Sequence, residues 1–179
     1  MLDLDKEEGF GTWFSAAILL FTGQLLLLHA AAVRKSSDRW FPWWLVLGLG
    51  FVFLSVDEVA GMHEYLNTFL DETSDISGWT DVALGGMALV GLAFLPFLWA
   101  LRRRTAALFV IAGCISPGGA VGVERWTGDD VDSLGYNMWT TLEEGMEMGG
   151  VIAMIYAVLD HMRAIAGGDL RLDLLRSEA

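Results

Sequence analysis

The chain has 179 residues, 54% of them apolar and eight of them tryptophan, with a mean hydropathy of +0.48; this excludes an ordinary soluble domain and points to a membrane protein. A formal net charge of −12 excludes nucleic acid as a partner, because a phosphate backbone selects clustered Lys and Arg. A single cysteine, Cys114, excludes disulfides within the chain and Cys-x-x-Cys metal sites, and its apolar neighbourhood predicts a small buried core residue.

The N-terminal MLDLDKEEGF is acidic where a secretory signal is basic, and the apolar run behind it is longer than a signal h-region, so the first helix is expected to be retained. A bilayer core about 30 Å thick takes roughly 20 helical residues. That ruler predicts spans at 10–33, 41–64, 82–101 and 105–123. A fifth span at 136–160 is interrupted by Glu143, Glu144 and Glu147, and its second half is too short to cross alone; a full crossing therefore carries the glutamates into the membrane. Residues 163–179 read as a cytoplasmic tail with leucines among charges, expected to lie on the inner surface or to fray.

Charge bias sets the count and the orientation. Five spans gather Arg34, Lys35, Arg39, Arg102, Arg103, Arg104, Arg163, Arg171 and Arg176 on one side, leaving Lys6 and Arg125 opposite. The expected fold is all-α: an integral membrane bundle of five transmembrane helices, N-out/C-in, formed by residues 1–162 in the cytoplasmic (inner) membrane of a bacterium or archaeon. All eight tryptophans fall near span ends, where amphipathic rings favour the membrane interface. Gly85 with Gly86, and Gly145 with Gly149, offer small surfaces for close helix approach.

The acids converge at one depth. At 1.5 Å per residue, Asp57 lies about 24 Å up the second span, below the outer surface, with Glu64 at or just above that surface and Glu58 and His63 between. Glu124 reaches the same outer rim from the fourth span, and Glu143, Glu144 and Glu147 lie roughly 10 to 16 Å below the outer face on the fifth. On a continuous helix Asp57 and Glu64 fall within about 20° of each other, and the three fifth-span glutamates within about 100°. Each ionised residue at the bilayer centre costs about 2.5–3.5 kcal/mol, so the cluster calls for neutralisation by a divalent cation, by protons or by water. Carboxylate oxygens suit Ca, Mg or Mn, and the imidazole of His63 brings Fe and Zn within reach. No Glu-x-x-His occurs, so the cluster only approximates a ferritin-like di-metal centre.

The string S-x-D-E-x-x-x-x-H-E in the second span, Glu124, and E-E-x-x-E-M-G in the fifth resemble a group of uncharacterised small bacterial multi-span membrane proteins. That resemblance implies no particular mechanism.

Other features have blander readings. Pro117, Gly118, Gly119 and Gly122 break the fourth span just before Glu124, either as a packing kink or to free carbonyls for a cation. His29 and His161, near the inner ends of the first and fifth spans, suit haem ligation in principle, with interfacial histidines the commoner case. Met146, Met148 and Met154 are gap-fillers before they are copper ligands. Gln24 is expected in an interhelical hydrogen bond. No Ser or Cys stands in a recognisable nucleophile elbow or triad. The reading is a membrane protein with an outward-facing, carboxylate-rich divalent-metal site, open to metal-dependent catalysis on a lipid-soluble substrate. Its rivals are a cation or proton conduit and a non-catalytic subunit of a larger membrane complex. Membrane lipids, other membrane proteins or further copies of the chain are the expected partners.

Overall fold

The computed structural model describes residues 9–62, 65, 66, 68, 78–117, 119 and 134–166, and among these every regular element is helical. In chain order they are α1 (Phe10–Lys35), α2 (Phe41–Ala60), α3 (Gly78–Ala100), α4 (Arg103–Pro117) and α5 (Leu134–Ile165). Helices α1, α2 and α5 are each long and apolar enough to cross a membrane. Within α3, Leu84–Ala100 is a shorter apolar helix. The 15 described residues of α4 rise about 22 Å.

A short turn joins α1 to α2. Ser37 adopts φ 56°, and the Trp40 amide donates to Oδ1 of Asp38 at 2.9 Å, so an aspartate replaces the backbone partners missing between two helices. Pro42 then opens α2, where a missing N–H costs nothing. The two helices run antiparallel at close range. A methyl group on Gly23 would lie 2.8 Å from Cγ2 of Val52, and one on Gly48 2.9 Å from Cδ2 of Leu27. Farther along, Ser55 Oγ donates to the carbonyl of Ala16 at 2.8 Å, a buried bond that pins the far end of the pair.

Helices α4 and α5 form a second antiparallel pair. A methyl group on Gly150 would come within 2.6 Å of the Ser116 backbone nitrogen, and one on Gly119, two residues past α4, within 2.8 Å of the Glu143 carbonyl. The glycines at the close approaches are not the expected ones: among the described residues nothing lies within 4 Å of a would-be Cβ on Gly85, Gly86, Gly145 or Gly149. In a helix apolar on all sides, composition does not distinguish the face that meets protein from the face that meets lipid.

The main core lies where the two pairs meet. Leu26, Ala30 and Val33 of α1, Trp44 of α2, Phe97 of α3, Phe109 and Ala112 of α4, and Met154, Ala157 and Val158 of α5 form one buried cluster. Several other positions differ from expectation. Trp44 is only 2% exposed, a core residue rather than part of an interfacial belt. Cys114 is exposed, on the α4 face shared with Val110 and Ile111. Gln24 is exposed rather than placed between helices.

Candidate functional site

The bundle has two chemically opposite ends. At one, the α1–α2 turn and the α3–α4 turn bring Arg34, Lys35, Arg39, Arg102, Arg103 and Arg104 together with Arg163 near the end of α5. Contacts fix this arrangement: His29, near the end of α1, meets Trp44 at the start of α2 and His161 near the end of α5. The acids are displaced from that end. Asp57 is thirteen residues beyond Trp44, and Glu147 fourteen residues before His161, about 20 Å along their helices in each case.

At the acid end Asp57, Glu58, Glu143, Glu144 and Glu147 are all half-buried, and each takes part in a polar or electrostatic interaction. The glycine contact at Gly119 turns the glutamate-bearing part of α5 toward α4, because a methyl group there would also lie 3.4 Å from Cγ of Glu147. Among the described residues no three His, Cys, Asp or Glu side chains gather closely enough to hold a metal ion. His63, Glu64 and Glu124 lie outside the described residues. One part of the sequence geometry needs correction. Helix α2 ends at Ala60, short of the expected 64, because Gly61 takes the left-handed φ of 58° with its N–H donating to the Asp57 carbonyl; the expected alignment of Asp57 with Glu64 lies outside the described residues.

The arginine end holds a second polar group in an apolar setting. His29 and His161 are 4% and 6% exposed, and their rings meet edge to face with centroids 5.1 Å apart. Trp44 touches both, at 4.4 Å from His29 and 4.9 Å from His161, and Phe97 and Phe109 close around Trp44. Thr105 Oγ1 lies 3.3 Å from Nδ1 of His161, so the first turn of α4 holds that ring. Nε2 of His29 is buried and has no hydrogen-bond partner among the described residues, an uncommon condition for a polar atom in a folded interior. Asp160 does not pair with its neighbour His161; it accepts from Arg104 Nε at 3.2 Å. The sequence marked both histidines but gave no sign of Trp44 and Thr105 as their partners. The one available cue is that Thr105 follows three arginines and therefore shares their depth.

A shallow groove of about 570 Å³ opens beside this core, between the start of α4 and the end of α5, with Arg102, Arg104 and Arg163 on its walls.

A family model described as "Domain of unknown function (DUF8692)" matches residues 1–162. No curated protein and no solved structure matches the chain.

Proposed function

The chain belongs to the DUF8692 family, and on that premise we propose that it is a five-span protein of a cytoplasmic membrane, N-out/C-in, holding a divalent cation at its acid end between α2, α4 and α5. The observation that carries this reading is the glycine contact at Gly119. It packs the outer end of α4 against the turn of α5 that bears Glu143 and Glu147, and Glu124 follows Gly119 by five residues. Half-buried carboxylates gathered from these helices would repel one another and lose solvation, and a cation would offset both costs. Oxygen donors favour Ca, Mg or Mn, and His63 would admit Fe.

A cation held there would polarise water or oxygen against a lipid-soluble substrate, with a non-ligating glutamate as base. A through-path for ions is less well supported, because the arginine end is closed by Leu26, Trp44, Phe97 and Val158, all essentially inaccessible. A haem between the histidines fits poorly, since rings touching edge to face leave no slot for a macrocycle. A role as a non-catalytic subunit is the second reading, favoured by α3, whose Leu89, Leu92 and Trp99 are exposed and available to lipid or to a partner helix.

Elemental analysis of the detergent-purified protein, alongside Glu143→Gln/Glu147→Gln, tests the cation. About one divalent ion per chain is expected in the wild type and clearly less in the variant, with a chelator-sensitive melt only in the former. Metal-free protein in both samples, with melts indifferent to chelator and to added Ca, Mg, Mn and Fe, would overturn the proposal.

A further inference from the structure

We infer that the groove between α4 and α5 binds the phosphate of an anionic membrane lipid. Three guanidinium groups, from Arg102, Arg104 and Arg163, face one carboxylate, Asp160, so the groove carries a surplus of positive charge. Arg104 is already oriented. Its Nε contacts Asp160 Oδ2 at 3.2 Å and its Nη2 donates to Tyr156 Oη at 3.0 Å, yet the side chain stays 67% exposed. Of its five N–H groups three remain available, in the planar fork that suits two oxygens of one phosphate.

Shape selects a lipid over a free anion. Ile152, Tyr156, Leu159 and Arg163 lie at i, i+4, i+7 and i+11 of α5, on one face about 60° wide. The first three are exposed apolar or amphipathic side chains, so an apolar track runs from the arginines along a membrane-crossing helix. An acyl chain on that track beneath a headgroup on the arginines matches both halves of the surface. Basic pockets between helices at the membrane surface are where anionic headgroups bind. Bulk attraction of arginines to an anionic leaflet needs neither the groove nor the Tyr156–Arg104–Asp160 arrangement, and that difference gives the test.

Full-length protein in vesicles of phosphatidylcholine alone is compared with vesicles in which about a third of the lipid is phosphatidylglycerol, reading thermal melting and the lipid retained on extraction into mild detergent. Phosphatidylglycerol should raise the melting temperature and be enriched among retained lipids, and Arg102→Gln/Arg163→Gln should weaken retention about tenfold. Arg34→Gln/Arg39→Gln, at the same end but outside the groove, should retain lipid as the wild type does. Equal loss in both variants would reduce the effect to diffuse surface charge, and a wild type indifferent to phosphatidylglycerol would overturn the site without reference to any variant. Inorganic phosphate added to the phosphatidylcholine sample should leave the melt unchanged; an equal stabilisation by it would make the groove a site for soluble anions and overturn the lipid assignment.

Discussion

The two ends of the bundle solve opposite problems. At the arginine end the charges sit on turns and at helix termini, where they reach water, and the layer beneath is sealed by Trp44, Phe97 and Phe109 around a histidine pair. At the acid end the carboxylates lie within the helices themselves, half-buried, and the contacts described there include the approach of Gly119 to α5 and the Ser55–Ala16 bond. Large side chains hold the helices together where no carboxylate joins the buried cluster.

The comparison breaks most visibly at Trp44. Replacing it with alanine should cost about 3–5 kcal/mol, since the indole contacts four rings and sits in the centre of the cluster. Melting in detergent with the far-UV signal as readout checks this, and a shift no larger than that of a surface variant would move the core elsewhere. Next comes Gly150→Ala, whose new methyl would meet the Ser116 backbone at 2.6 Å. A loss of about 1–3 kcal/mol is expected, against less than about 0.5 kcal/mol for Gly149→Ala one residue away, where space is open. Equal effects at the two positions would mean that α4 and α5 do not approach as described. Thr105→Val should cost about 1 kcal/mol by removing the hydroxyl beside His161. The smallest effect belongs to His29→Leu. Its buried Nε2 has no hydrogen-bond partner among the described residues and so no such bond to lose, and stability should stay within about 1 kcal/mol of wild type or rise. A large loss there would reveal a partner for the imidazole.

Much of this division was legible in the sequence, and what was not has a physical cause. The ruler of roughly 20 apolar residues predicts five helical segments, and three of the five helices, α1, α2 and α5, are long and apolar enough to cross a membrane. Helix ends were less predictable. The second span was expected to continue to 64, yet Gly61 stops α2, and only a backbone dihedral distinguishes a terminating glycine from one that continues a helix. Trp44 looked interfacial because tryptophan at a span end usually is; its burial depends on His29 and His161, which are distant in sequence. Asp57, Glu58, Glu143, Glu144 and Glu147 were assigned to one end from depth alone, and helix direction supports that assignment. How their side chains face one another depends on helix rotation, which apolar-all-round helices do not encode in their pattern.

The way α1 packs on α2, and α4 on α5, bears on how the protein is made. Each pair joins neighbours in the chain, so each can zip up as a hairpin while ribosome and insertion machinery are still delivering the remainder. The contact of His29 with His161 then belongs to a later docking step, in which two preassembled halves latch across an aromatic joint. Cutting the polypeptide at the short α3–α4 turn should accordingly yield two co-expressed pieces that find each other and restore the native assembly.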